Sequence, residues 1–224
     1  TYFGLQWHLE AIESQNGGTD GIDVGAVPAW DKYRGAGIIV GVLDDGLEAT
    51  HADLAANVRT DLGYDYLDGD ADPSPKLPSN THGTSVAGLI AAVGDNRRGV
   101  VGVAYEAKLA GIRIIDTGVQ TDSKVAQSLA HRSDIIQIKN NSWGPPKAYE
   151  DLADYGPLII NAVEDGVASG RNGLGSIFVF SSGNFGVEGD DVNYASLRNR
   201  PDVIPLGAVA LSGVKAGYST PGAP

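Results

Sequence analysis

Short apolar runs recur along this chain, and each is separated from the next by a stretch with the length of a helix or of a polar loop. The first run, residues 37–43 (GIIVGVL), is continuously apolar, which is typical of a parallel strand that is buried on both faces. The same pattern predicts four further strands, over residues 108–115, 135–140, 176–181 and 203–209.

The stretches between these runs carry helix signals. One stretch consists mainly of small, apolar residues and contains no proline. Another begins at Thr121, a residue type that caps helix N-termini. Strands that alternate with helices indicate an α/β fold, namely a doubly wound, mostly parallel sheet with helices on both faces. No repeat or linker divides the chain, so residues 1–224 are predicted to form a single domain. The predicted helices span residues 27–33, 83–93, 121–133 and 151–169.

Polar residues follow three of the predicted strands at their carboxyl ends. Asp44 ends the first strand, residues 141–144 (NSWG) follow the third, and Asn184 follows the fourth. Parallel strands end at a common edge of their sheet, and α/β proteins bind ligands at that edge. The sequence therefore predicts a functional site there.

The composition narrows the possible partners and chemistry. A net charge of −12 disfavours a nucleic-acid partner and suits a protein that binds cations. The absence of cysteine excludes disulfides, thiol catalysis and thiolate-bound zinc. No signal peptide and no apolar run long enough to cross a bilayer is present, so no membrane partner is expected. Because the chain also lacks methionine, we expect it to be part of a longer protein.

Two residues have the chemical types that activate a hydroxyl nucleophile. A serine hydroxyl attacks when a neutral imidazole takes its proton, and a buried carboxylate fixes the tautomer of that imidazole. His82 and Asp44 could fill these two roles. His82 lies at a predicted helix N-terminus, where the helix dipole disfavours imidazolium, so we expect a neutral base near physiological pH. Taken singly, His82 could equally be a surface or capping residue, and Asp44 could cap a turn.

Asn184 carries a side-chain amide on a glycine-flanked turn. An amide donor in such a position can stabilise a transition-state oxyanion by roughly 3–4 kcal/mol. By itself the residue is also compatible with an ordinary Gly-Asn turn, so its interpretation depends on the residues around it.

The order of these residues and the short motifs around them resemble the sequences of the subtilisin-like serine proteases (subtilases). The resemblance extends from about Gln6 to Pro224. The doubled Asp44-Asp45 and residues 170–184 are most similar to the kexin/furin branch of that family. The matching motifs are VLDDG (residues 42–46), HADL (51–54), HGTSVAG (82–88), GVVGVA (99–104), NSWGP (141–145) and SSGN (181–184).

The resemblance implies a role for each site residue. Asp44 is then the acid of a catalytic triad, His82 its base and Asn184 the oxyanion donor. Asp45 lines the pocket for the substrate residue second from the cleaved bond. The peptide substrate pairs as an added strand with the segment formed by Ser142, Trp143 and Gly144. The same segment lines the primary pocket.

The resemblance also implies calcium as a cofactor, bound by oxygen ligands on flexible loops. One expected site consists of Asp53, the carbonyls of Val93, Arg98 and Val100, and the side chain of Asn96. A second expected site consists of Asp65, Asp70 and Asp72, although these residues could also form a solvated acidic loop.

The chain departs from the branch pattern in two respects. Lys147 and Ala195 stand where carboxylates of the primary-pocket region are expected, which puts strict cleavage after basic residues in doubt. The nucleophilic serine is expected about 160 residues after the histidine, beyond Pro224. Neither Ser85 nor Ser219 is assigned as the nucleophile, so we expect the serine further along a longer polypeptide.

The sequence therefore predicts part of a secreted or extracellular serine endopeptidase that uses an acyl-enzyme. Its partners would be a peptide or protein substrate and a possible prosegment or inhibitor. The alternative is a non-catalytic pseudoprotease or calcium-binding interaction domain. A dinucleotide-binding domain also fits the α/β alternation, but no G-x-G-x-x-G motif lies between a predicted strand and the start of the helix that follows it.

Overall fold

The computed structural model describes residues 2–116, 120–150 and 155–222. A six-stranded sheet runs through it in the order β2-β3-β1-β4-β5-β6, and neighbouring strands are parallel. This architecture confirms the predicted α/β class. The strands are β1 (Ile39–Asp44), β2 (Tyr64–Asp65), β3 (Lys108–Arg113), β4 (Ile138–Asn141), β5 (Ile177–Ser181) and β6 (Val203–Leu206).

Each of the five predicted strands is present, with ends that differ by up to three residues from the sequence expectation. The two-residue β2 was not predicted, because it lies in a loop rich in Asp, Gly and Pro that carries no strand pattern. The described helices are α1 (Glu13–Asn16), α2 (Ala26–Ala29), α3 (His82–Ala91), α4 (Asp122–Ala130) and α5 (Pro157–Gly173).

The helix ends follow local signals in the sequence. The side chain of Thr121 accepts a hydrogen bond from the Lys124 amide and caps α4, as predicted. Helix α5 begins with Pro157 at its first turn, where proline loses no hydrogen bond. The beginning of the predicted helix 151–169 falls on residues 151–154, which lie outside the described part of the chain. None of the described helices is long and apolar enough to cross a membrane.

Apolar side chains fill both faces of the sheet, which explains why β1 is buried along its whole length. Helices α4 and α5 pack on one face, and Leu43 and Phe178 of the sheet belong to that core. Helix α3 packs on the other face, against Val40 and Val42. The alternation of side chains along β1 therefore divides one strand between two cores.

Helix α3 lies very close to the end of β1 because its second residue is Gly83. A Cβ atom at this position would lie 2.3 Å from the carbonyl oxygen of Gly46 and 2.8 Å from the Cβ of Asp44. Such distances are impossible for non-bonded atoms, so only glycine permits this approach. The preceding residue, His82, is thereby held beside the carboxyl end of β1.

Lys139 of β4 is fully buried beneath the end of α4. Its ammonium group donates a hydrogen bond to the carbonyl oxygen of His131, the residue that caps the C-terminus of α4. A helix C-terminus attracts positive charge, which favours the ammonium form. Burial acts in the opposite direction and lowers the pKa of Lys139 to about 7.

Replacing Lys139 by methionine should therefore change how stability depends on pH. Above a pH of about 7 and up to the ordinary lysine value of 10.5, the unfolded chain holds a proton that the folded chain does not. Wild-type stability gains from this group as pH rises through that range, by at most about 1.4 kcal/mol per pH unit. Lys139→Met should lack the gain, as urea unfolding at several pH values would show.

The exposed Lys32 provides the matched control, and Lys32→Met should keep the wild-type pH dependence. Parallel stability profiles for Lys139→Met and the wild type would contradict the low pKa of the buried amine.

Candidate active site

Three strand ends meet at one edge of the sheet. Leu43 of β1 is in register with Asn141 of β4, and Asn141 is in register with Phe180 of β5. Asp44 and the segments that begin at Ser142 and Ser182 therefore leave the sheet side by side. The predicted convergence of polar residues at this edge is present in the structure.

Asp44 and His82 form the central contact of this edge. The Nδ1 atom of His82 lies 2.8 Å from Oδ1 of Asp44. Asp44 is 1% exposed, whereas the side chain of His82 is 57% exposed. A carboxylate only accepts, so Nδ1 carries the proton and donates it. The solvent-facing Nε2 of the neutral ring is then an unprotonated base, and among the described residues it has no hydrogen-bond partner.

Asp45 makes contacts that the sequence reading did not anticipate. Its Oδ1 accepts a hydrogen bond from the Gly83 amide at 2.7 Å, and its Oδ2 accepts one from the His82 amide at 3.2 Å. These amides are the first two of α3 and have no partner within the helix. The buried Asp45 is thus a non-local cap for the helix that carries the imidazole.

The expectation that the helix dipole keeps His82 neutral is wrong in direction. The pKa of His82 is raised above its ordinary value, chiefly by the hydrogen bond to Asp44. Partial burial lowers it, while the charges of Asp44 and Asp45 raise it further. Two nearby carboxylates outweigh the helix terminus because they carry full charges at close range.

The structure places the other predicted site residues around this pair. Asn184 is exposed on the bend that follows β5, and its amide makes no hydrogen bond to the described residues. The hydroxyl of Ser142 accepts a hydrogen bond from Asn140. Trp143 packs edge-on against Phe180, with ring centroids 5.5 Å apart, so it is partly a core residue. Asn184 is therefore accessible at the strand edge, as an oxyanion donor must be.

Arg198 belongs to the same region, and sequence reasoning missed it. Its guanidinium Nη1 donates to the carbonyl oxygen of Ser181 at the end of β5. The residue is 6% exposed and lies next to both Gly144 and Gly183. No motif contains it, so its position depends on tertiary contacts that a single sequence does not display.

The two serines that sequence analysis set aside are not activated. Ser219 is buried, and its hydroxyl accepts from the Ala208 amide and lies 3.3 Å from the hydroxyl of Ser182. The hydroxyl of Ser85 donates to the carbonyl oxygen of Thr81. Neither hydroxyl is hydrogen-bonded to His82, which agrees with leaving both unassigned.

The loop that precedes β3 encloses Asp53, which is the residue expected to be the main calcium ligand. The carboxylate of Asp53 accepts hydrogen bonds from the Asn96 side chain at 2.5 Å and from the Val100 amide at 2.9 Å. The carbonyls of Val93, Arg98 and Val100 accept no hydrogen bond from the described residues. A buried carboxylate, an amide side chain and uncommitted carbonyls are the kind of ligand set that calcium takes. Asn96, however, faces Asp53 with its NH2 group, and its Oδ1 accepts from the Arg98 amide, so it would have to turn to become a ligand. Calcium at the first expected site stays a prediction.

The acidic loop does not fit calcium in the same way. Asp65 is fully buried, but its Oδ2 accepts from Arg113 at 2.8 Å rather than converging with Asp70 and Asp72. The ammonium of Lys76 lies within 4 Å of Asp65 and Asp72. Across the described residues, no set of three Asp, Glu or His side chains is arranged to hold a metal. The expectation of a second site over Asp65, Asp70 and Asp72 is not supported, because two protein cations balance its charge.

The chain is similar in sequence to known endoproteases over nearly all its length. It is 39% identical to a PC3-like endoprotease variant from Hydra vulgaris over 221 residues, which is 97% of this chain and 31% of that protein. It is 40% identical to a furin-like protease 2 from Drosophila melanogaster over 219 residues, which is 96% of this chain and 13% of that protein. The chain thus spans about a third or less of the length of these relatives.

Solved structures agree with this similarity. A protease from Pseudoalteromonas arctica superposes with a TM-score of 0.76 at 27% identity, over 99% of this chain and 68% of that one. A serine protease from Aeromonas sobria, solved in complex with a chaperone, gives a TM-score of 0.76 at 25% identity, over 98% of this chain and 40% of that one. The model of the subtilase family matches residues 35–223. The chain therefore belongs to the subtilase family.

Proposed function

We propose that this chain is the part of a serine endopeptidase that supplies the general base and the oxyanion donor. The observation that carries the proposal is the bond between the buried Asp44 and the exposed His82, which leaves Nε2 free to accept a proton. The relatives named as endoproteases support the same chemistry. A peptide or protein chain is the proposed substrate.

In the proposed reaction, a serine hydroxyl attacks the carbonyl carbon of a peptide bond while Nε2 of His82 takes its proton. The Asp44 carboxylate stabilises the imidazolium that forms and keeps Nδ1 as the donor. The amide of Asn184 donates to the oxygen that becomes negative in the tetrahedral intermediate. His82 then gives its proton to the leaving amine, and water releases the acyl group by the same steps.

The serine is proposed to lie outside residues 1–224, in the natural polypeptide that contains them. Ser85 and Ser219 are committed to other hydrogen bonds, so neither is the proposed nucleophile. A prosegment or inhibitor is a further proposed partner, supported by the neighbour that was solved with a chaperone. A secreted or extracellular location stays a prediction.

The proposal predicts that the natural polypeptide reacts with a fluorophosphonate probe at a serine outside residues 1–224. Ser85→Ala and Ser219→Ala are the matched controls and should still be labelled. His82→Ala should lower kcat for peptide hydrolysis by at least about four orders of magnitude, because no other group takes the proton. Peptide mapping locates the label. A protein that neither reacts with the probe nor cleaves peptides would instead be a non-catalytic domain.

The position of Asp45 generates a prediction about pH. The base must be neutral, so kcat/KM falls as pH drops through the pKa of His82. Because this pKa is raised, the fall occurs at a higher pH than for an ordinary histidine. Asp45→Asn removes one of the charges that raise this pKa but keeps an oxygen for the helix amides. The acid limb of the rate profile should therefore move to lower pH.

Asp61→Asn is the control for this experiment, since Asp61 is exposed and pairs with Arg59. It should leave the acid limb in place. An acid limb that moves to higher pH in Asp45→Asn would contradict the electrostatic role of Asp45.

We also propose that calcium binds at Asp53, with the side chain of Asn96 and the carbonyls of Val93, Arg98 and Val100 as further ligands. When bound, the ion would supply positive charge to a buried carboxylate and tie the loop of residues 93–100 to Asp53. An ion that binds only the folded state adds stability, by about 2.7 kcal/mol at a hundredfold excess over Kd.

Chelation should therefore lower the melting temperature of the wild type, and added calcium should restore it. Asp53→Asn should abolish most of this response, because it removes the charged ligand. Asp70→Asn, which alters an exposed residue of the acidic loop, is the matched control and should respond like the wild type. Differential scanning fluorimetry with and without chelator measures both, and a full calcium response in Asp53→Asn would exclude this site.

A further inference from the structure

A cavity of about 590 Å³ lies between the N-terminal segment and the loop of residues 93–100. Its volume is within the range of small-molecule binding pockets, which is about 300–1,000 Å³. No residue of the candidate catalytic pair lines it, so a ligand bound here would not occupy the candidate active site. The lining combines three aromatic rings with two guanidinium groups, which belong to Phe3, Trp30, Tyr105, Arg97 and Arg98.

The aromatic side of the cavity is fixed by contacts within the protein. The indole Nε1 of Trp30 donates a hydrogen bond to the carbonyl oxygen of Val103 at 2.8 Å. The Trp30 ring meets Tyr105 edge-on, with ring centroids 5.2 Å apart, and it is tilted by 44° to the ring of Phe3. Because these rings are not stacked face to face, they keep ring surface for a further aromatic group.

The two arginines of the cavity have no carboxylate partner. Arg97 and Arg98 are exposed, and among the described residues neither guanidinium has a hydrogen-bond or ion-pair partner. In contrast, the surface residues Arg59, Arg132 and Arg200 each pair with a nearby carboxylate. Two adjacent cations without a partner are therefore available to a ligand, in a chain whose net charge is −12.

The loop that carries these arginines is held in a defined conformation. The carboxylate of Asp53 accepts from the Asn96 side chain at 2.5 Å and from the Val100 amide at 2.9 Å. The residues on either side of Asn96 have left-handed φ angles, 57° at Asp95 and 59° at Arg97. Such angles are strained for residues with a side chain and persist where surrounding contacts impose them. The cationic side of the cavity is thus formed before a ligand arrives.

An aromatic anion is the ligand that uses both sides of the cavity. Its ring can pack against the aromatic side chains and beneath a guanidinium, which stacks on aromatic faces. Its carboxylate can accept paired hydrogen bonds from a guanidinium. Asp95 also lines the cavity, and the two guanidinium charges outweigh its single negative charge.

We propose that this cavity is a binding site for a small aromatic carboxylate. Arg97 and Arg98 contact the carboxylate, and the three aromatic side chains pack on the ring. The site is separate from the candidate active site, so the inference does not depend on the proposed peptidase function.

Calorimetric titration of the natural polypeptide with naphthylacetate and naphthylacetamide, in calcium-free buffer, tests the proposal. The two compounds share one ring system and nearly one shape but differ in charge. We expect the carboxylate to bind at least about tenfold more tightly than the amide, which is about 1.4 kcal/mol. Acetate, which has no ring, should bind far more weakly than naphthylacetate. In the double variant Arg97→Gln/Arg98→Gln, the ratio of the two affinities should fall to near one.

The double variant Arg59→Gln/Arg132→Gln is the matched control. It removes the same number of positive charges from surface positions outside the cavity. This variant should keep the wild-type ratio, which separates a direct contact from an effect of net charge. Because Arg97 and Arg98 have no partner to lose, their double variant should keep the wild-type melting temperature.

Three results would overturn the proposal. They are equal affinities of the wild type for the carboxylate and the amide, no binding of either compound, and a wild-type ratio in Arg97→Gln/Arg98→Gln. None of the measurements requires turnover. A failed titration therefore leaves the proposed peptidase function intact, and a polypeptide that hydrolyses no peptide can still show the predicted binding.

Discussion

The hydrogen bond between Asp44 and His82 is the interaction on which the functional interpretation depends. It joins residues 38 positions apart, and it forms because β1 ends where α3 begins. Gly83 lets the helix approach the strand, and Asp45 holds the first helix amides in place. The end of β1, the glycine and the cap together therefore hold the imidazole of His82 against Asp44. This contact selects one tautomer of the ring.

The same arrangement sets the electrostatics of the base. A helix N-terminus contributes roughly half a positive charge and favours neutral imidazole. Asp44 and Asp45 contribute full negative charges close to the ring and raise the pKa of His82 instead. The capping role of Asp45 reinforces this outcome, because the charge that stabilises the helix end also helps to raise the pKa of His82.

Local patterns gave the fold class, the five longer strands and the Asp44–His82 pair, since apolar runs and short motifs are properties of neighbouring residues. The contacts that sequence reasoning missed are long-range and polar. Asp65 pairs with Arg113 across two strands, and Arg198 reaches back to the end of β5. A carboxylate in a loop looks the same in sequence whether its partner is a metal, an arginine or water. Only the register of the strands, which no single sequence displays, decides between them.

The charges at the strand edge are unevenly distributed, and the distances between them decide which of them act on His82. Carboxylates lie at β1, while the guanidinium of Arg198 lies at β5, two strands away. Neighbouring strands are about 4.8 Å apart, so the separation is about 10 Å. At that distance two charges interact by on the order of 1 kcal/mol in a partly buried site. The positive charge at β5 therefore acts on His82 only weakly. Asp44 and Asp45, which lie at hydrogen-bonding distance from the imidazole and from the helix amides, set the direction of its pKa shift.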